Sequence, residues 1–235
     1  MCAEKCANDY SISREEQDAY AIESYRRAQA ALEANVFEEV VPVEVPQRRG
    51  DPLVVSQDEE PNSVNLDKLK TLKPAFDRKN GSVTAANASS LNDGACAMVL
   101  MTEQDALDRG IAPLARIRGF GDAAQNPVDF TTTPSLAVPV ALQNAGVEAS
   151  DVDYHEINEA FAVVALANQR LLNIDPERVN VFGGAVAIGH PIGMSGARII
   201  GTLYDVLKQK DATIGCASIC NGGGGASAIV IERMN

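Results

Sequence analysis

The chain of 235 residues has no extended apolar run, so nothing in it reads as a membrane-spanning helix. Positive charge is scarce: 20 Lys and Arg stand against 32 Asp and Glu, a formal balance of −12. That balance argues against nucleic acid or an anionic membrane surface as a partner, and an anionic ligand would need a local basic patch. Histidine occurs twice, at His155 and His190, in unrelated segments. With so few, the C-x3-C pairs Cys2/Cys6 and Cys216/Cys220 make only a weak structural zinc site. Cysteine numbers five, an odd count with no signal-peptide pattern, which points to reduced thiols rather than a disulfide framework. The 46% of hydrophobic residues suffices for a core in one large domain or two small ones.

Glycine is concentrated in residues 179–225. That stretch holds Asn180-Val-Phe-Gly-Gly-Ala-Val-Ala-Ile-Gly-His190-Pro191 and, after a helix, Cys216-Ala-Ser-Ile-Cys220-Asn-Gly-Gly-Gly-Gly225. Glycine is costly inside helices and strands, so such density marks sharp turns or close backbone approach. The first turn has the glycine spacing of a P-loop, but His190 stands where lysine is needed and Pro191 where a hydroxyl should hold magnesium. The spacing is not that of a dinucleotide fingerprint either. What remains is a histidine on one turn and a cysteine at the mouth of the next. A free thiol titrates near pKa 8.5 and needs a base or a positive environment to react at neutral pH. Histidine is the side chain best suited to supply it. The bland alternative is a pair of tight connections with no chemistry.

Along the chain, residues 11–34 read as a helix, with Ser13 and Glu16 as a capping box and Asn35 as the stop. Residues 36–74 are irregular, with short extended runs at 40–45 and 52–55, an excursion from a core. Lys68, Lys70, Lys73, Arg78 and Lys79 then cluster against the acidic average, either as a solvated face or as a patch for phosphates. Residues 82–102 alternate small and apolar residues and suggest buried strands or a strand–turn–helix unit, with Cys96 a small core residue. A short helix follows at 103–109 and a strand at 112–120. The last third alternates: helix 136–145, strand 152–157, helix 159–172 with Phe161, Val164, Ala165 and Leu171 apolar, strand 179–182, helix 195–210 with Ile199, Leu203, Val206 and Leu207 on one stripe, and strands 213–219 and 226–232. This rhythm argues for an α/β sheet with helices on its faces and ligand residues on loops at one edge.

Asn158-Glu-Ala-Phe161, Gly183-Gly-Ala-Val-Ala-Ile-Gly-His190-Pro191-Ile-Gly-Met-Ser-Gly196 and Cys220-Asn-Gly-Gly-Gly resemble the three C-terminal signature blocks of the thiolases, closest to the biosynthetic, acetoacetyl-CoA type. The resemblance extends over essentially the whole chain. It implies a mixed five-stranded sheet covered by helices in a C-terminal domain at 111–235. It also implies a partial α+β loop domain binding coenzyme A at 1–90, and the last elements of the N-terminal half at 91–110. The implied reaction is the reversible Claisen condensation of two acetyl-CoA to acetoacetyl-CoA and CoA, in sterol and isoprenoid precursor metabolism. Such chemistry needs an acyl-accepting thiol, a base at the α-carbon and donors for developing oxyanions.

By the same resemblance, Cys220 abstracts the α-proton and His190 activates the nucleophile and helps polarise an oxygen. Asn158 holds a water in one oxyanion hole, and Gly222 N–H serves the other. Phe161 either shapes the acyl tunnel or packs the core. Ser89 matches a pantetheine contact; Ser63, Val64, Asn65 and Lys68 fall where relatives meet the nucleotide end of CoA. A potassium ion, bound in some relatives, corresponds to Tyr25, Ala85, Ala86, Ala88 and Val186, although Tyr25 serves equally as a packing residue. Cys2, Cys6 and Cys96 do not sit in the pattern of the family's acyl-accepting cysteine, so that group is expected to be missing and the chain to be inactive alone. The missing half would leave an apolar face open, predicting poor solubility or an oligomer unlike the tetramer of complete thiolases. The other readings are a CoA- or lipid-binding module without turnover and a degradative 3-ketoacyl-CoA thiolase. The terminal Glu232-Arg-Met-Asn235 is not a peroxisomal signal, so a cytoplasmic location is expected, with a mitochondrial one as the alternative.

Overall fold

The caps dictate how the chain begins. In the computed structural model, which describes residues 1–234, α1 (Cys2–Asp9) precedes α2 (Arg14–Glu33). Ser13 and Glu16 form the expected capping box: Ser13 Oγ accepts from Glu16 N at 3.1 Å, and Glu16 Oε2 accepts from Ser13 N at 2.7 Å. Asn35, at φ 52°, turns the chain out just past the helix end. The excursion that follows is an antiparallel hairpin, β1 (Val43–Val45) with β2 (Leu53–Val55), and two single-turn helices, α3 (Glu60–Ser63) and α4 (Leu66–Leu69). Leu69 pins this region to α2 by packing with Ala21, Tyr25 and Ala28.

The largest departure from expectation lies in residues 82–102. Val83, Thr84 and Asn87 form a buried turn, in which Asn87 Oδ1 accepts from Thr84 N at 2.8 Å and Asn87 Nδ2 donates to Asp18 at 2.9 Å. Beyond it, residues 91–102 form neither strand nor helix, and Cys96 is exposed rather than in the core. Leu91, Val99 and Leu100 are 79%, 85% and 74% exposed. The physical reason is pairing: a strand must satisfy its backbone groups on a neighbour, and among the described residues no strand runs beside this one.

The second half follows the expected rhythm: α5 (Glu103–Asp108), β3 (Ala115–Ala124), α6 (Pro134–Ala145), β4 (Tyr154–Ile157), α7 (Ala162–Leu172), α8 (Ala185–Ile188), α9 (Ser195–Gln209), β5 (Ile214–Cys220) and β6 (Gly225–Arg233). The sheet is mixed, ordered β3-β6-β5-β4, with β4 and β5 parallel and the other pairs antiparallel. It has four strands rather than five. Residues 179–182 contribute only isolated bridges, Val179 to His155 and Val181 to Gly183, because Asn180 turns to φ 49° and its side chain takes over the ladder. Its Oδ1 accepts from Ile157 N and its Nδ2 donates to Ile157 O, both at 2.8 Å.

One face of the sheet buries Cys216, Cys220, Ala228 and Val230 under Ala137, Val138, Ala141 and Leu142 of α6. The other buries Ala217 and Ile231 under Ile199, Leu203 and Leu207 of α9, three of the four residues expected on one stripe, whereas Val206 turns to Ala31, Val36 and Phe182. In α7 the buried surface differs from the expected one. Val164 meets the sheet while Val163 and Ala167 meet α1, so the helix is sandwiched; Leu171 lies 45% exposed beyond both contacts.

Candidate active site

Cys220 closes β5 and Asn158 follows β4. The two strands are parallel with Ile157 opposite Ser218, and Asn158 N donates to Ser218 O at 2.9 Å, so both side chains arrive at the same edge of the sheet. This is the carboxyl edge of a parallel strand pair, where open sheets place ligands.

The His190 turn is brought to that edge by contacts only glycine allows. A Cβ on Gly184 would lie 2.4 Å from the Glu159 carboxyl carbon. Gly189 sits at φ +80°, and a Cβ there would lie 1.9 Å from Asn92 Oδ1. Glu159, fully buried, is satisfied by four donors: Tyr20 OH at 2.8 Å and Asn180 Nδ2 at 2.9 Å on one oxygen, Ser24 Oγ at 2.8 Å and Val186 N at 3.0 Å on the other. It ties β4, α2 and α8 together; a buried carboxylate with fewer partners would be strongly unfavourable. The turn is held at its far end by His190 N donating to Ser90 O at 2.8 Å and Arg198 Nη2 donating to Gly189 O at 3.0 Å.

The imidazole of His190 lies between two polar groups. Nε2 is 3.3 Å from Asn158 Nδ2, and Nδ1 is 2.6 Å from Ser195 Oγ. Burial, with a smaller contribution from the Arg198 charge, holds its pKa below the usual histidine value, so the ring is neutral near pH 7. Burial pushes the Cys220 thiol up to about 12 and keeps it protonated. Behind Asn158, the Glu156 carboxyl is pushed well above the ordinary carboxylate range, by burial first and by the Glu159 charge second. His155 points away on the same strand, and burial lowers it to about 4.

Gly222 lies in the exposed turn between β5 and β6. Asn221 Oδ1 accepts from Gly223 N at 3.1 Å and Gly225 N at 3.3 Å, while Gly222 N donates to no group among the described residues. Ser89 joins the cluster, its hydroxyl donating to Ala160 O at 3.0 Å beside the Ala88–Phe161 bridge. Phe161 packs against both the sheet core and the α1 cluster, edge-on to Phe76 with ring centroids 6.4 Å apart.

Ser63, Val64, Asn65 and Lys68 lie together on α3 and α4. The Ser63 hydroxyl donates to Glu60 O at 3.0 Å, and Asn65 Oδ1 caps α4 by accepting from Lys68 N at 3.2 Å. Val64 rests on the Tyr25 cluster. Lys68, Lys70, Lys73, Arg78 and Lys79 are exposed. Tyr25, Ala86 and Val186 meet in one buried cluster, with Ala85 exposed and Ala88 half-buried beside it. A polar cavity of about 220 Å³, lined among others by Cys6, Tyr10, Gln125 and Asp129, holds none of the His190 group.

Sequence reasoning did not single out Ser195, Glu159, Arg198 or Asn92. Ser195 and Glu159 lie inside the quoted blocks, five residues after His190 and one after Asn158. Nothing in the sequence marks them as facing inward, and Arg198 reads as an ordinary helical cation.

Two sequence profiles match the chain: "Thiolase, N-terminal domain" over residues 1–104 and "Thiolase, C-terminal domain" over residues 111–233. An acetyl-CoA acetyltransferase of Schizosaccharomyces pombe is 61% identical over 99% of this chain and 59% of its own length. The crystal structure of the Bacillus anthracis acetyl-CoA acetyltransferase superposes with a TM-score of 0.95 at 43% identity, covering 99% of this chain and 59% of that one. The Acat5 thiolase of Ascaris suum, solved in complex with coenzyme A, superposes at 0.89 and 43% identity over the same shares. The chain thus spans about three fifths of the length of the relatives it matches. With its two halves matched in order by both profiles and its signature turns converging on one sheet edge, this chain belongs to the thiolase family.

Proposed function

We propose that the chain carries the base-bearing part of an acetyl-CoA C-acetyltransferase, which condenses two acetyl-CoA to acetoacetyl-CoA and CoA, reversibly. The observation that supports it most is the neutral His190, bonded between Asn158 and Ser195, at the sheet edge where Cys220 is kept protonated. In the cleavage direction, an acyl-accepting thiol gives its proton to His190 Nε2 and attacks the ketone carbon of acetoacetyl-CoA. The bond between the ketone carbon and the α-carbon then breaks, leaving an acyl thioester and the enolate of acetyl-CoA. The Cys220 thiol protonates that enolate, a task that suits a group held as the acid at neutral pH. CoA thiol finally takes the acyl group. In the synthetic direction Cys220, as thiolate, removes the same α-proton. Gly222 N–H and a water on Asn158 serve the oxygens that become negative.

The acyl-accepting thiol is, in this reading, none of the five cysteines here. Cys216 is packed under α6 and pushed up to about 12 by burial, and burial likewise raises Cys6. Cys2 is half-buried on α1, and Cys96 sits on the exposed 91–102 segment. Ser89 and Phe161 line the path of the thioester arm, and Ser63, Val64, Asn65 and Lys68 receive its nucleotide end. The carbonyls of Ala85, Ala86 and Ala88, which accept no hydrogen bond among the described residues, fit a potassium ion together with the Tyr25 hydroxyl and Val186. Bound there, the ion would order this strip through its charge. The division into 1–90, 91–110 and 111–235, the cytosolic location and a tetramer for the complete protein belong to the same reading.

Acetoacetyl-CoA thiolysis, followed spectroscopically and by mass spectrometry of each cysteine, tests this. The expected result is no acyl adduct on the five cysteines, with turnover in a chain extended to the length of its relatives and loss of that turnover in Cys220→Ala. An adduct here, or full turnover in that variant, would overturn the reading. Preference for long-chain 3-ketoacyl-CoA would favour a degradative thiolase, and CoA binding without turnover in the extended chain a binding module.

A further inference from the structure

The strand that leads to Asn158 carries a second polar group toward α9. Glu156 lies opposite Ala217, which packs under α9, and Asn158 follows two residues later, so the two side chains leave the backbone on one face. Both are buried, at 3% and 2% exposure. Each has a side-chain oxygen, Glu156 Oε1 and Asn158 Oδ1, that is closed off from solvent and makes no hydrogen bond among the described residues. Both residues line one small cavity, together with Gly183, Gly184 and, from α9, Arg198 and Thr202. Its volume of about 10 Å³ is the room of a single water molecule. Burying a polar group without a partner costs free energy. One water, which both donates and accepts, would relieve two such groups together.

We propose that a single buried water joins Glu156 to Asn158, and that Glu156 is thereby a positioning residue for the Asn158 amide. This rests on the reading of Asn158 as the group that holds a water for a developing oxyanion. Asn158 Nδ2 lies 3.3 Å from His190 Nε2, and Oδ1 is the opposite end of the same amide. A water serves an amide oxygen or an amide nitrogen alike, so the bridge holds for either orientation of the group. A side chain held at both ends no longer swings about χ2, and its donor is in place before the oxygen becomes charged. Burial pushes Glu156 well above the ordinary carboxylate range and so favours the uncharged acid, which can both donate to the water and accept from it. A neutral carboxamide of the same shape should therefore serve in its place.

Two readouts test the bridge. In a crystal structure fine enough to show ordered water, the wild type should hold one water within hydrogen-bond distance of both Glu156 and Asn158. Glu156→Gln should keep it, and Glu156→Leu, which offers similar bulk and no polar atom, should lose it. A dry cavity in the wild type, or a water bonded to only one of the two, would overturn the proposal. In the chain extended to the length of its relatives, kcat for acetoacetyl-CoA thiolysis should fall about 10-fold in Glu156→Leu with KM little changed. Glu156→Gln should stay within about twofold of the wild type. An equal loss in the two variants would overturn the proposal, since the site would then need the carboxyl itself and not a bridging group. An unchanged kcat in Glu156→Leu would overturn it as well. Should Glu156→Leu fail to fold, the wild-type water and the activity of Glu156→Gln decide. Absence of turnover in every extended version would overturn the Claisen reading, and the crystallographic water would still decide the bridge.

Discussion

Residues 183–195 and 91–101 are written in similar letters. Both mix alanine with aliphatic side chains, and both carry or adjoin a group with reactive chemistry. The first is tied down along its length: Glu159 and Ser24 hold its start, Ser90 and Arg198 its centre, and Ser195 its end, with Ile192 exposed between them. The second has turned its apolar residues outward, and its Cys96 is exposed. The difference is one of partners. The glycines of the first segment let backbone and carboxylate approach to contact, and Glu159, Ser24, Ser90 and Arg198 bond to its backbone. The second has no strand beside it among the described residues, so its apolar run forms an exposed patch of the kind that marks an interaction surface.

The largest effects should come from truncating the core and from placing a side chain where only glycine fits. Gly189→Ala combines a strained backbone region with the Asn92 contact and should cost about 1–3 kcal/mol before any relaxation, lowering the urea midpoint. A core truncation gives a yardstick: Leu203→Ala, under α9, should cost about 2–5 kcal/mol, whereas Leu100→Ser, in the exposed run, should stay within about 0.5 kcal/mol. Equal costs for those two would erase the contrast.

Thiol labelling sharpens it further. Iodoacetamide at pH 8 should modify Cys96 first and leave Cys216 and Cys220 unreacted until the chain unfolds, because both are buried and pushed up to about 12. Rapid alkylation of Cys220 in the folded chain would contradict its protonated, enclosed setting.

A smaller effect involves Asp205 of α9, whose carboxyl is raised to about 8 by burial and by a shared hydrogen bond with Glu39. A folded-state pKa above the unfolded one means that stability from this group is fully present below about pH 4 and is lost as pH rises toward 8. Asp205→Asn should therefore flatten the decline between those limits, by on the order of 1–2 kcal/mol, since the exposed Glu39 is screened by water. A pH–stability curve unchanged by the substitution would show that the pair shares no proton. The smallest effect expected is a rise of a few degrees in Tm in potassium chloride over sodium chloride at equal ionic strength, lost in Tyr25→Phe.

Much of this was legible in the sequence for local reasons. The α2 capping box, three residues of the α9 stripe and the glycine-rich turns rest on neighbours within a few positions, and all appear as expected. The segment at 179–182 reads as a strand because its valines and phenylalanine suit one. Asn180, by pairing its side chain with Ile157, ends the ladder, and no propensity encodes that choice. Residues 91–102 depart for the opposite reason: the pattern of a buried strand is present without a strand to pair with.

The sequence by itself determined the α/β rhythm through its spacing and the family through the resemblance of its signature blocks, and it put forward Asn158, His190 and Cys220 as the candidates for chemistry. Only the tertiary structure decided what those groups are. Parallel pairing of β4 with β5 brings Asn158 and Cys220 to one edge. Burial under α6 makes Cys220 an acid, and the docking of α9 turns Ser195 toward Nδ1. Protonation depends on desolvation and on hydrogen bonds between segments far apart in the chain, and those exist only once the chain has folded.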